Sequence, residues 1–195
     1  MEVKVSVIVP MYNVASLIQR CIHSLCSQTY RHLELIFVND CSKDDTVAVV
    51  EALLASENLD GIEYKLITHE QNMGVAAARN TGLDAATGKY IYYVDSDDYV
   101  EADTIESLVT EAEENDNDIV SCEWLLEFGK NARHMVQPEF ATGEELFRQM
   151  CYGRARWNLW LFAAKRELFD GVRFTPGLDM GEDMTATVRI LIIKI

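Results

Sequence analysis

Tyr90-Ile91-Tyr92-Tyr93-Val94-Asp95-Ser96-Asp97-Asp98 passes from an unbroken apolar stretch straight into three carboxylates. The first five residues have the aromatic, apolar character of a buried strand. The acidic run stands where such a strand ends. Alone, Asp-Ser-Asp-Asp is an ordinary solvated turn, because Asp and Ser both favour turns. Its neighbours decide between a turn and a site.

Upstream, strand and helix patterns alternate. Val3 to Val9 is β-branched and stops at Pro10, and Leu33 to Val38 and Ile62 to Ile67 are two further strands. Between them, Leu17, Ile18, Cys21, Ile22, Leu25 and Cys26 make an apolar stripe at helical spacing. Asp44-Asp45 opens a helix carrying Val49, Val50, Leu53 and Leu54. Gly74 leads into an Ala-rich helix, Val75 to Ala86, expected to close at Gly88. Downstream, a helix is expected over Ala102 to Asn115 and a strand over Asp118 to Leu126. Such alternation predicts an α/β fold with a mainly parallel central sheet flanked by helices. Ligands of these sheets bind outside the carboxyl ends of the strands. Three polar groups fall there: Tyr12-Asn13, Asp40, and Asp95 to Asp98. Distant in sequence, they are expected to share one crevice.

The second half is less regular. Lys130-Asn131 suggests a hairpin turn, and Thr142-Gly143-Glu144-Glu145 a capping box before Leu146 to Met150. Trp157 and Trp160 stand close together, and Gly181-Glu182-Asp183 precedes a helical stretch to Ile195. The apolar end, Ile190 to Ile195, is expected either to be buried or to continue in a longer protein. With no repeat or linker, residues 1–195 are expected to form a single catalytic domain, truncated at its C-terminus. Its donor-binding half would be 1–100 and its acceptor-side half 101–195.

Composition limits the partners. A net charge of -15 argues against a nucleic-acid binder, which needs clustered Lys and Arg, and against an electrostatic hold on anionic lipid. An acidic protein handling an anionic nucleotide calls for a bridging cation. Five cysteines without a CxxC pair suggest a reduced, cytoplasmic setting. The N-terminus lacks signal-peptide character, and no apolar run reaches the ~20 residues of a membrane span.

Carboxylate oxygens suit Mg²⁺ or Mn²⁺, which take one or two from the protein and fill the remaining positions with phosphate and water. At a strand end, Asp95 and Asp97 can face one side while Ser96 turns away. Asp40 is either a turn or helix cap or an acceptor for a nucleobase N–H; Tyr12 is either a half-buried aromatic or a stacking surface for that base. Arg79 is a lone cation at an apolar helix start, placed to pair with a strand-end Asp or to reach a base or phosphate. Glu182-Asp183 reads first as acids in a helix's opening turn, and alternatively as a general base. Rossmann, Walker and nucleophile-elbow motifs are absent from the sequence.

Four segments, Val5 to Asn13, Phe37 to Ser42, Asn72 to Asn80 and Tyr93 to Asp98, together resemble the family 2 glycosyltransferases of the glycosyltransferase A fold. The likeness runs from residue 5 to about residue 122 and returns at Gly181 to Met184. It implies that Pro10, Tyr12 and Asn13 line the nucleotide pocket and that Asp40 hydrogen-bonds the base, uracil most often. It further implies that Arg79 holds the nucleotide side, Asp95 and Ser96 contact ribose or donor sugar, and Asp97 ligates Mn²⁺ or Mg²⁺. Asp98 would support the loop, and Asp183 would activate the acceptor hydroxyl. Such an enzyme inverts the anomeric centre while moving one sugar from a nucleotide-diphosphate sugar to a saccharide or lipid-linked acceptor in cell-surface polysaccharide synthesis. A peripheral position at the inner membrane face and a homodimer are both compatible with it.

Two departures stand out. The Lys that family members often carry shortly after a Trp is missing after Trp160, and so is the Q-x-x-R-W motif of processive synthases, which points to single-sugar transfer. An inactive nucleotide-sugar-binding module is the competing reading. A sugar nucleotidyltransferase ranks lower, because Pro10-Met11-Tyr12-Asn13 stands where that enzyme carries a Gly-rich, Arg-containing loop.

Overall fold

The computed structural model describes residues 3–178 and 181–192. Four strands, β1 (Val5–Met11), β2 (Leu33–Asn39), β3 (Ile62–Thr68) and β4 (Tyr90–Tyr93), pair in parallel in the order β3-β2-β1-β4. Beyond β4 the sheet continues through β8 (Phe162–Lys165) to β5 (Ile119–Ser121), and β8 is antiparallel to both neighbours. β1 and β2 are buried along their whole length, the condition that favours unbroken apolar strands over alternating ones.

Side chains from β1 feed two cores. Val5, Val7, Val9 and Met11 pack on one face, with α1 (Ile18–Cys26), α2 (Thr46–Leu54) and α4 (Thr104–Glu114). Ile8 joins Ile36, Val38 and Tyr93 on the other, with α3 (Val75–Ala85) and α6 (Glu182–Ile192). α3 can lie close to the sheet because its buried residues are small: a Cβ on Gly82 would come within 2.3 Å of Ile8 Cγ2.

Several local expectations are corrected. Gly88 does not close α3, which ends at Ala85 with Ala86 already extended. Gly88 instead crosses under β1, where a Cβ would meet Ser6 N at 2.6 Å. The strand expected over Asp118 to Leu126 is two strands. β5 leaves the main sheet after Ser121, and β6 (Trp124–Phe128) pairs with β7 (Asn131–Met135) in a separate hairpin. An apolar run shows no period change at the point where it swaps partners. The hairpin turn falls at 129–130, one residue early. α5 (Gly143–Cys151) is capped by Thr142 Oγ1, which accepts from Glu145 N–H at 3.1 Å, but Glu145 reaches back to Ala141 N–H rather than to the cap residue.

Of the apolar stretch from Ile190, expected either to be buried or to continue in a longer protein, Ile190 and Leu191 are buried, and Ile193 and Ile195 lie outside the described residues. The five cysteines are free thiols. Among the described residues no helix is long and apolar enough to cross a membrane.

Candidate active site

β2, β1 and β4 are adjacent, so the loops after them open on one edge of the sheet. After β1, Tyr12 is 42% exposed and Asn13 adopts a positive φ of 54°. The Asn13 side chain accepts from Lys43 N–H at 2.7 Å, and its own N–H donates to Ser42 Oγ at 2.9 Å. These bonds stitch the loop after β1 to the loop after β2. Pro10, buried and lacking an N–H, sits opposite Val38 at the end of β1.

Asp40 follows β2 and is buried. Its carboxylate accepts from Met73 N–H at 2.9 Å, Gly74 N–H at 2.7 Å and His69 Nδ1 at 2.8 Å. His69 Nε2 in turn lies 2.8 Å from Thr81 Oγ1 on α3. Asp40 therefore ties down the segment that opens α3, where Gly74 takes a φ of 85° that other residues rarely adopt. His69 was not singled out from the sequence, where it is an isolated histidine with no spacing signal.

The acidic run closes a tight turn, with Asp98 N–H donating to Asp95 O at 3.0 Å. Ser96 is buried, while Asp97 and Asp98 face solvent. Partial burial and the neighbouring carboxylates of Asp95 and Asp97 push the Asp98 carboxyl up to about 6. Asp95 is also raised, by burial first, with Arg79 opposing and Asp97 reinforcing.

Arg79, buried on α3, gathers the remaining carboxylates. Nη2 lies 3.4 Å from Asp95 Oδ1, and Nη1 pairs with Glu182 Oε1 at 2.7 Å and with Asp183 Oδ1. One guanidinium thus joins the strand-end acidic loop to the first turn of α6, more than eighty residues away. Burial pushes the Asp183 carboxyl up; Arg79 opposes this, Glu182 and Asp95 reinforce it, and the result is about 6. Leu159 N–H approaches the other Asp183 oxygen at 3.5 Å. The sequence reads Glu182 with Asp183 as helix-start acids or a general base, and the pairing of Glu182 with Arg79 carries no sequence signal beyond adjacency to Asp183.

Hard oxygen donors at a strand end suit a divalent cation completed by phosphate oxygens. No three ligating side chains cluster among the described residues, so such an ion would take its remaining ligands from a substrate or water.

The chain is similar to known glycosyltransferases in sequence and in fold. An uncharacterized glycosyltransferase of Bacillus subtilis (strain 168), EpsJ, is 37% identical over 189 residues, covering 92% of this chain and 53% of EpsJ. Among solved structures, S. aureus TarS 1–349 in complex with UDP superposes with a TM-score of 0.79 at 25% identity, over 96% of this chain and 55% of that one. A mannosyltransferase from Pyrobaculum calidifontis, in complex with GDP-Man and Mn²⁺, gives a TM-score of 0.69 at 25% identity, covering 96% and 51% of the two chains. The chain spans about half the length of the curated relatives it matches. The family model described as glycosyl transferase family 2 matches residues 6–176, and the chain belongs to that family.

Proposed function

We propose that this chain carries the catalytic site of a metal-dependent, inverting glycosyltransferase. It would move one sugar from a nucleoside-diphosphate sugar, with uridine as the first candidate, to a hydroxyl acceptor of a growing polysaccharide. The observation that carries the reading is the Arg79 bridge, which holds a strand-end acidic loop and a second carboxylate with a raised pKa on one guanidinium. Family membership and the UDP and Mn²⁺ complexes of the structural neighbours support it.

In this reading the acceptor O–H gives its proton to Asp183, its oxygen bonds to the anomeric carbon, and the bond to the diphosphate breaks on the opposite side. A sugar hydroxyl is a poor nucleophile near neutral pH, and a positioned base adds ~10²–10⁴-fold. Asp97 would hold Mn²⁺ or Mg²⁺, whose chemistry is to offset charge on the departing diphosphate. Tyr12, Pro10 and Asn13 would flank the nucleotide, with Asp95 and Ser96 toward the sugar. Asp40 would act by fixing the 69–74 segment as well as by offering its remaining lone pairs to a base. The rest of the catalysis is positioning and preorganised charge.

Thermal shift with UDP, with and without Mn²⁺, tests the assignment. A ligand at a hundredfold its Kd stabilises the fold by about 2.7 kcal/mol. Wild type should show a Mn²⁺-dependent shift and Asp97→Asn a metal-independent one. No Mn²⁺-dependent shift with any nucleoside diphosphate would overturn the assignment.

A further inference from the structure

Asp40 can offer a ligand only what its neighbours leave free. Its Oδ1 accepts from two donors, His69 Nδ1 at 2.8 Å and Met73 N–H at 2.9 Å. Among the described residues, Oδ2 accepts from Gly74 N–H alone, at 2.7 Å. A carboxylate oxygen carries two lone pairs. Oδ1 is therefore filled, and what remains open is on Oδ2. The fold keeps Asp40 beside the mouth of the candidate site. Its N–H donates to Met11 O at 2.9 Å, next to the exposed Tyr12, and Met73, which it binds, is exposed as well.

His69 is the side-chain donor of this set, and it is held at three points. The side chain is 7% exposed, and the main-chain N–H donates to Asn39 O at 2.9 Å. Nδ1 faces a carboxylate, which only accepts, so Nδ1 carries a proton. Nε2 lies 2.8 Å from Thr81 Oγ1, two residues along α3 from Arg79. A hydroxyl can give or take a hydrogen bond, so Thr81 holds the ring in either of its protonation states. The filled oxygen has a consequence for a nucleobase. Uracil presents one ring N–H, between two carbonyls. Guanine presents two adjacent donors, a ring N–H and an amino N–H, which a carboxylate meets with one bond to each oxygen. With Oδ1 filled, the second donor of guanine loses water and gains no acceptor.

We propose that His69 is a positioning residue that sets base selectivity through Asp40. By filling Oδ1 it restricts the carboxylate to one outward acceptor, and so favours uracil over guanine. This rests on the reading of Asp40 as the base acceptor, and adds to it the residue that decides which base is accepted.

Titration calorimetry with UDP and with GDP, each with Mn²⁺, tests this on the whole chain. Wild type should bind UDP more tightly than GDP. His69→Ala should cut that preference by about tenfold, the worth of one hydrogen bond. His69→Asn, whose amide can donate in place of Nδ1, should restore most of it. Should His69→Ala not fold, Thr81→Val, which releases the ring from α3, should lower the preference several-fold. A merely structural His69 would weaken both nucleotides alike and leave their ratio unchanged. An unchanged ratio in His69→Ala or, failing that, in Thr81→Val overturns the inference, as does a wild type that prefers GDP. Either result leaves a nucleoside-diphosphate site in place. Binding of neither nucleotide by the wild type overturns the donor reading, and the selectivity with it.

Discussion

Asp183 can take a proton only while ionised, and its raised carboxyl sets where that happens. With an apparent pKa of about 6, kcat/KM for transfer should fall on the acid side with a limb near pH 6, about tenfold per unit below it. Asp183→Asn should remove transfer and the limb together while keeping the Mn²⁺-dependent UDP shift; transfer at the wild-type rate would remove Asp183 from the mechanism. Asp40 makes the opposite kind of prediction. Its carboxylate accepts from Met73 N–H, Gly74 N–H and His69, so Asp40→Asn turns an amide toward a backbone donor. The ligand-free protein should lose about 1–3 kcal/mol in denaturant unfolding, the cost of one buried group left unsatisfied. A purely nucleotide-contacting Asp40 would leave that value unchanged. Both residues were legible as candidates, since each follows an apolar strand or opens a helix. Their partners were not. That Arg79 binds Glu182 and Asp183 across more than a hundred positions depends on where α6 docks, and neither periodicity nor spacing encodes docking.

Elements whose pattern matched their burial were the readable ones. β1 and β2 are apolar because both of their faces are covered; β2 ends at Asn39, one residue past the expected Val38, whereas β1 does not stop at Pro10 but runs through it to Met11. β8 was not recognisable: Phe162-Ala163-Ala164-Lys165 is four residues long, follows a 3-10 turn, and is a strand only because β4 and β5 flank it. The same tertiary dependence governs α3. Its Ala and Gly residues looked like helix composition, yet Gly82 is a contact surface, with Ile8 Cγ2 2.3 Å from where a Cβ would stand. On an exposed helix Gly→Ala stabilises by up to about 1 kcal/mol. Here Gly82→Ala must push α3 away from β1, and overpacking of this kind costs about 1–3 kcal/mol. Calorimetry should therefore show a lowered Tm, and a raised Tm would mean that the helix does not sit this close. Because α3 also carries Arg79, the displacement should weaken UDP binding in the same variant.

Across the whole molecule, the two ends of the sheet respond to acid in opposite directions. At the end away from the candidate site, Glu34 is buried near the start of β2 and bound by Ser6 Oγ at 2.7 Å, Lys65 Nζ at 2.7 Å and Thr87 N–H at 2.8 Å. Burial alone would raise its carboxyl, but these donors bring it from an ordinary 4.5 down to about 2. Between those values the unfolded chain holds the extra proton, so this contribution, roughly 3 kcal/mol, is complete above pH 4.5 and disappears as pH falls toward 2. At the site end, Asp98 and Asp183 are raised from 3.8 to about 6. There the folded chain holds the extra protons, so stability drops as pH rises through that window and recovers as it falls. A net charge of -15 adds self-repulsion that acid also relieves. Denaturant unfolding from pH 3 to 8 should therefore show maximal stability near pH 4, a decline from there toward pH 7 as the site-end carboxyls ionise, and a loss toward pH 3 as Glu34 loses its advantage. Asp98→Asn should flatten the neutral decline, and Glu34→Gln should lower stability at pH 5 and flatten the acid loss. Stability that rises monotonically from pH 5 to 8 would mean that the carboxylates at the site end impose no electrostatic cost on the fold. Mn²⁺ bound with UDP should cancel part of that cost, so the ligand-induced shift should be larger at pH 7.5 than at pH 5.5, where protons already neutralise part of the acidic crevice.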